Sequence, residues 1–243
     1  MPLNLHTNYE ILGTGEPVLF LHGWGSDISD FKAVTNIVSQ FYKTINIDFW
    51  GFGKSDNPKT SLSVEDYADL VYDFINKQKL GTVNIVGHSF GGRVAIKLCT
   101  KYPKSCKSLI LSDSAGLRKK LTLKQKYLIK RYKKLKIKVN EGLKDKKVLE
   151  KFGSDDYKQL NDIMKQTFVK VVNEDLSDDA RKISIPTLLV WGKKDKDTPL
   201  YMGKTFNKLI KNSKLIILNG GHYCHIENLQ EYSKICMQFW EEQ

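Results

Sequence analysis

The stretch Thr82-Val83-Asn84-Ile85-Val86-Gly87-His88-Ser89-Phe90-Gly91-Gly92 decides the fold. Its apolar lead, Thr82 to Val86, reads as a buried strand. Arg93 to Lys101 reads as an amphipathic helix with Val94, Ala95, Leu98 and Cys99 on one side. Between them lies Gly-x-Ser-x-Gly, a turn tight enough to strain the serine and project its hydroxyl outward, as a nucleophile requires. Gly87 and Gly91 stand two residues either side of Ser89, where a Cβ would collide with the neighbouring element. Gly92 lets the helix pack close to the strand. Ser89 also opens a helix, whose free N–H groups place partial positive charge beside it. The same five residues also suit a plain strand-to-helix turn with an N-capping serine, so the decision rests on the rest of the chain.

Outward from this turn, strands alternate with helices. Asn8 to Leu12 and Val18 to Leu21 flank the turn Gly13-Thr14-Gly15-Glu16-Pro17 and read as a hairpin. Thr44 to Ile47 is a short strand ending at Asp48. Ser63, with Asp66 three residues on, is an N-cap for a helix to about Lys77. Ser108 to Leu111 is a strand ending in Ser112-Asp113-Ser114. From Ala115 to Lys182 the apolar spacing turns helical: Leu121, Leu128, Tyr132, Leu135 and Val139, then Leu160, Met164, Phe168 and Val171-Val172. Alternation resumes after Pro186 with a strand Thr187 to Trp191, a helix Leu200 to Ile210, a strand Lys214 to Leu218 and a helix Glu227 to Glu241. The class is α/β: a mostly parallel, doubly wound sheet with right-handed crossovers. Residues 1–114 and 183–243 form its core, and residues 115–182 form an inserted helical segment.

The 243 residues suffice for one large domain, or one domain with an insertion. Cys99, Cys106, Cys224 and Cys236 are widely spaced, which argues against both a disulfide framework and a zinc knuckle. Met1 to Glu10 has no signal-peptide core. No apolar run approaches the ~18 residues of a membrane span, so the expectation is a cytoplasmic, soluble protein. The net charge of +12 is uneven: Ser114 to Ile183 holds 20 Lys+Arg against 10 Asp+Glu, a net of +10. Arg118 to Lys138 holds 11 basic residues and no acidic one. Such a run is most often a solvated helical face. Its functional uses are attraction to an anionic substrate, an acidic protein partner or a membrane surface. No nucleic-acid-binding motif accompanies it. No metal-ligand cluster or nucleotide loop is evident, so no metal and no cofactor are expected.

Functional residues in such a sheet belong at the carboxyl ends of strands, where the crevice opens. Ser89 follows one strand there. Trp191-Gly192-Lys193-Lys194-Asp195 places a carboxylate just past the second-to-last strand, and Asn219-Gly220-Gly221-His222 places an imidazole just past the last. His22-Gly23-Trp24-Gly25 supplies a glycine-rich turn after an early strand. A serine hydroxyl needs a base within hydrogen-bond reach, and the base needs a third group to fix its tautomer and stabilise its charged form. The chain order Ser89, Asp195, His222 fits one such architecture. Asp197 competes with Asp195. His225 competes with His222, although its place before Ile226-Glu227 at a helix start suits a structural or pocket-lining position.

The chain resembles the α/β-hydrolase superfamily through five segments in order. They are Leu21-His22-Gly23-Trp24, Asp48-Phe49-Trp50-Gly51-Phe52-Gly53-Lys54-Ser55-Asp56, Gly87 to Gly92, Trp191 to Asp195, and Gly221-His222. The resemblance implies an eight-stranded sheet, with Pro2 to His6 as a very short first strand, and a cap from about Ala115 to Lys182. It implies Ser89, Asp195 and His222 as catalytic residues, with Asp113 an alternative acid site used in some relatives. It implies an oxyanion hole from the amides of Trp24 and Phe90, worth ~3–4 kcal/mol per donor. His22 would orient that turn, and Asp48 would be structural. Pocket candidates are His22, His88, Leu128, Tyr132, Met164, Phe168 and Tyr223, although the cap's apolar residues equally suit its own small core.

A serine nucleophile excludes the relatives that use aspartate, namely haloalkane dehalogenases and epoxide hydrolases. What remains is acyl transfer to water: a carboxylesterase acting on a small-molecule ester of small or medium acyl length. Three alternatives keep the same triad. One is an esterase for acyl groups on an acidic carrier protein held by the basic cap, and another is a carbon–carbon hydrolase of ring-cleavage products. The third is a ligand receptor with little turnover.

Overall fold

The computed structural model describes residues 5–118, 123–145, 148 and 155–243. Its strands are β1 (Tyr9–Leu12), β2 (Pro17–Leu21), β3 (Lys43–Ile47), β4 (Val83–His88), β5 (Cys106–Ser112), β6 (Thr187–Gly192) and β7 (Ser213–Leu218). They form one seven-stranded sheet in the order β1-β3-β2-β4-β5-β6-β7, parallel except for β1. The class is the expected one, with seven strands among the described residues where eight were implied. The Pro2–His6 strand lies partly outside the described residues. Leu5 to Asn8 has no strand partner and bonds to loops instead, His6 O to Asp56 N and Asn8 O to Asp48 N.

One pairing differs from the sequence reading. β1 and β2 are not a hairpin, because β3 lies between them: Tyr9 stands opposite Ile47 on one side of β3, and Leu21 beside Ile47 on the other. The reason is burial. Val18 to Leu21 are all buried, so β2 needs neighbours on both edges, and takes β3 and β4. β1 alternates exposed and half-buried positions, which suits an edge strand. Gly13 (φ +71°) and Gly15 (φ +98°) let the chain cross between them.

The period of two sorts side chains onto two faces. Val18, Phe20, Val86, Ile110 and Val190 meet helices α1 (Lys32–Val38) and, near the C-terminus, Leu229–Glu241, through Val34, Val38, Tyr232 and Trp240. Leu19, Leu21, Ile85, Leu109 and Leu111 meet α2 (Val64–Lys77), α3 (Phe90–Lys101) and the helix Tyr201–Leu209. Helix α1 had no counterpart in the sequence reading. Helix α2 begins where expected, on a capping box: Ser63 Oγ accepts from Asp66 N (3.1 Å) and Asp66 Oδ2 from Ser63 N (2.7 Å).

Between β5 and β6 the described residues form α4 (Leu123–Asn140), α5 (Asp155–Gln159), α6 (Asp162–Asn173) and α7 (Ser177–Lys182), with no strand among them. Leu121 lies outside the described residues. After β6 come α8 (Tyr201–Leu209), α9 (Cys224–Glu227) and α10 (Leu229–Glu241); α10 is the expected final helix, starting two residues later, and the short turn α9 precedes it. Among the described residues no helix is long and apolar enough to cross a membrane, and all four cysteines are free and buried.

Helices α6 and α7 are fixed to the core by polar ties. Lys170 Nζ donates to Ser61 O (2.8 Å) and the Arg93 guanidinium to Glu174 O (2.9 Å). Lys97 pairs with Asp179 (2.9 Å) and Glu174 (3.2 Å). Fully buried Thr167 accepts the Leu62 N–H through Oγ1 at 3.0 Å. Thr167→Val leaves that amide buried without its partner, an expected loss of ~1–3 kcal/mol. Thermal unfolding checks this, and an unchanged midpoint would contradict it. By contrast α4 is thinly covered, with Tyr127 and Ile137 more than half exposed among its lysines.

Candidate active site

The turn after β4 has the geometry that its glycines imply. Ser89 sits at φ 49°, ψ −108°, a conformation L-residues rarely adopt, and caps α3 without a side-chain bond. A Cβ on Gly87 would come within 2.7 Å of Gly91 O, and one on Gly91 would strike the Leu21 carbonyl. Backbone bonds from Ser89 N to Ser112 O (3.2 Å) and Ala115 N to Ser89 O (3.0 Å) hold the strained residue. Phe90 opens α3, so its N–H belongs to the first turn, which has no partner within the helix.

Two further strand ends deliver the partners. A Cβ on Gly192 would meet the Gly220 and Gly221 carbonyls, so glycine lets the loop after β6 lie against the loop after β7. Lys193 N to Leu218 O and Lys194 N to Gly220 O, both 2.8 Å, tie the loops together. His222 Nε2 then lies 2.9 Å from Ser89 Oγ, and His222 Nδ1 lies 2.9 Å from Asp195 Oδ2. Asp195 Oδ1 accepts the N–H groups of Asp197 (2.7 Å) and Thr198 (3.0 Å), and Oδ2 accepts the Thr198 hydroxyl (2.6 Å). With both oxygens occupied by donors, His222 carries its proton on Nδ1 and turns a lone pair on Nε2 toward the serine. Burial alone would raise the Asp195 carboxyl. The His222 and Thr198 bonds outweigh it and hold the group below its ordinary range. Burial pulls the His222 imidazole down, and Asp195 outweighs that, leaving it above its ordinary value.

The competitors fall elsewhere. Asp197 is exposed and offers Asp195 only its backbone N–H. Asp113 is buried at φ 43°. It accepts from Gly192 N (2.7 Å) and Cys224 N (3.3 Å), which joins the strand ends, and its carboxyl is pushed up to about 7 by burial. His225 is fully buried behind the site. Asp48 accepts from Asn8 Nδ2, Ile28 N and Lys54 N, organising its own loop. Thr198 and Asp30 are participants that the sequence reading missed, since neither stands in a local pattern.

The turn after β2 runs past the serine: a Cβ on Gly23 would lie 3.6 Å from Ser89 Cβ. His22 is buried, donates from Nδ1 to Gly23 O (2.7 Å) and accepts Phe49 N at Nε2 (2.9 Å), so it shapes this turn and does not line a pocket. The half-exposed Trp24 ring packs edgewise on Phe52 (4.9 Å), Phe90 (5.3 Å) and, from α6, Phe168 (5.2 Å), which also meets Tyr157 (5.6 Å). Phe168 thus reaches the site. Tyr223 is exposed beside His222 and His88, with ring centroids 5.6 and 5.1 Å apart. Met164 is buried against Gly51 in the core, and His88 is buried beneath the site. Leu128 and Tyr132 lie on α4, Leu128 exposed and Tyr132 half-buried.

Among the described residues two groups bring imidazole and carboxylate atoms within 4.8 Å: Asp30-His88-His225 and Asp195-Asp197-His222. In each, imidazole and carboxylate are already joined by direct hydrogen bonds. Chemically, the second group with Ser89 can pass a proton from Oγ to Nε2 while the carboxylate steadies the imidazolium.

Comparison with known proteins agrees with the fold. The model of a family described as serine aminopeptidase, S33 (Hydrolase_4) matches residues 15–228. The AB hydrolase superfamily protein YisY of Bacillus subtilis is 27% identical over 262 residues, covering 95% of this chain and 93% of that one. The 2-hydroxy-6-oxo-6-(2'-aminophenyl)hexa-2,4-dienoic acid hydrolase of Metapseudomonas resinovorans is 26% identical over 253 residues, covering 97% and 87%. The solved esterase EaEST from Exiguobacterium antarcticum superposes with a TM-score of 0.77 at 24% identity, covering 96% and 94%. With a matched family model spanning most of its length, this chain belongs to the serine aminopeptidase S33 family of α/β hydrolases.

Proposed function

We propose that this hydrolase cleaves carboxylic esters of small or medium acyl groups through an acyl-enzyme on Ser89. The observation that carries the reading is the continuous relay from Ser89 Oγ to His222 Nε2 and from His222 Nδ1 to Asp195 Oδ2, each link 2.9 Å. Ser89 Oγ bonds to the ester carbon as its proton passes to His222 Nε2. The carbonyl oxygen becomes an oxyanion, received by the amides of Trp24 and Phe90. The C–O bond to the alcohol breaks, and the alcohol leaves with the proton from Nε2. Water then attacks the acyl carbon and gives a proton to Nε2. Ser89 Oγ departs, recovers that proton and releases the acid. Residues 115–182 act as the cap, and Phe168 against Trp24 supports the placing of α6 over the site.

A carbon–carbon hydrolase is the second reading, favoured by the similarity to the dienoic acid hydrolase across nearly the whole chain. The basic face of α4, where Lys130, Arg131, Lys134 and Lys138 line a groove with Tyr127 and Leu135, suits an anionic partner. Esters borne on an acidic carrier protein therefore belong in the same test. Steady-state turnover is measured on p-nitrophenyl esters from acetate to laurate, on a ring-cleavage dienoate, and on a carrier-borne methyl ester. We expect kcat above about 1 per second on a short or medium ester. Turnover confined to the dienoate would replace the ester reading by the second one. Negligible turnover on the whole panel would point to a receptor.

A further inference from the structure

Behind the relay, three loops of the site converge on one buried carboxylate that the mechanism does not use. Asp30 ends a single helical turn, Ile28–Asp30, between β2 and α1. Its Oδ2 accepts the Gly23 N–H at 3.0 Å and faces His88 Nδ1 at 2.9 Å, while Oδ1 accepts from His225 Nε2 at 3.2 Å. His88 in turn donates from Nε2 to the backbone carbonyl of His222 at 2.8 Å. A carbonyl oxygen only accepts, so Nε2 carries a proton, and a second proton lies between Nδ1 and Oδ2. His88 and His225 are 1% and 0% exposed, and Phe31 packs on both rings, so no water competes for these bonds.

The connections are short in sequence as well as in space. Gly23 immediately precedes Trp24, His88 immediately precedes Ser89, and the carbonyl held by His88 belongs to His222 itself. We infer that Asp30 is a positioning residue: with His88 and His225 it holds the Gly23-Trp24 turn, the Ser89 turn and the His222 loop in mutual register for the reaction. This rests on the reading of Ser89 as nucleophile. Burial would raise the Asp30 carboxyl, but the bonds from His225 and His88 outweigh it and hold the group below its usual range. The three loops come from distant parts of the chain, and a displacement near 1 Å at a reacting group costs on the order of 100-fold in rate.

The test compares wild type with Asp30→Asn and Asp30→Ala. Asparagine keeps the shape and the acceptor for Gly23 N–H, but turns an amide N–H toward one imidazole. Active sites are counted by fluorophosphonate titration of Ser89, so partial unfolding cannot imitate an effect. We expect kcat per titrated site to fall about 10-fold in Asp30→Asn and about 100-fold in Asp30→Ala, with KM within about 2-fold. We also expect the Nδ1 proton of His222, a downfield NMR resonance in wild type, to broaden by exchange with water in Asp30→Asn. Unchanged kcat per site in Asp30→Asn, or a loss carried by KM alone, would overturn the inference. If wild-type Ser89 neither turns over esters nor takes the probe, the serine reading fails. The resonance then decides: broadening in Asp30→Asn still supports the positioning unit, and an unchanged resonance refutes it.

Discussion

Replacing Ser89 with alanine is expected to lower kcat on the best substrate by roughly 10⁵–10⁶-fold. The hydroxyl is both the atom that attacks and the donor of the proton that His222 Nε2 accepts across 2.9 Å. Among the described residues no other hydroxyl bonds to that nitrogen. Thr198 Oγ1 lies 3.3 Å from Nδ1, on the far side of the ring. The backbone should not register the change, since alanine inherits the same φ of 49°. Glycine is different. It adopts positive φ without a steric penalty, and strain at such a residue costs on the order of 1–3 kcal/mol. Ser89→Gly is therefore expected to be inactive and to unfold a few degrees above Ser89→Ala, by differential scanning calorimetry. Equal midpoints would mean that the turn stores no strain at this position. Activity surviving in Ser89→Ala would remove the nucleophile from the account.

Asp195→Asn is expected to cost about 10⁴-fold in kcat with little change in KM. The carboxylate accepts on both oxygens, from two backbone N–H groups, the Thr198 hydroxyl and His222 Nδ1. An asparagine that satisfies the backbone donors with its one oxygen presents an N–H pair to His222. The imidazole then moves its proton to Nε2, and no lone pair faces the serine. The pH dependence follows from the same contact. In wild type Asp195 holds the His222 imidazole above its ordinary value near 6.5. The base must be neutral to act, so kcat/KM falls as pH drops through this raised value, and the acid limb lies above about 6.5. In Asp195→Asn the stabilising charge is gone and the residual activity should show that limb at lower pH. A limb that stays in place would mean that another group sets it.

The parts of this molecule legible in sequence are those where local sterics admit few residues. At Gly87, Gly91 and Gly92 the neighbouring chain lies so close that no Cβ fits, so the turn announces itself. Asp195 and His222 could be placed because parallel strands deliver their following residues to one crevice. Strand partnership was less legible. β1 and β2 are separated by a hairpin-like turn, and only the two-sided burial of Val18 to Leu21, a property of the folded sheet, inserts β3 between them. His22 and His88 adjoin reactive positions, so proximity made them pocket candidates. Their rings instead turn inward to bond Gly23, Phe49, Asp30 and the His222 carbonyl. Asp30 was invisible for a related reason: its contacts to His88 and His225 span 58 and 195 residues, with no periodicity to mark them. Substrate choice was least legible, since helical spacing gives core and pocket residues the same signature. Met164 packs against Gly51, while Phe168, one helical turn later, reaches Trp24.

The most direct test of the central claim is to treat the wild-type protein with a fluorophosphonate and locate the adduct by peptide mass spectrometry. One adduct is expected, on Ser89, formed rapidly near neutral pH and lost in His222→Ala. Absence of an adduct, or one on any residue other than Ser89, would contradict it.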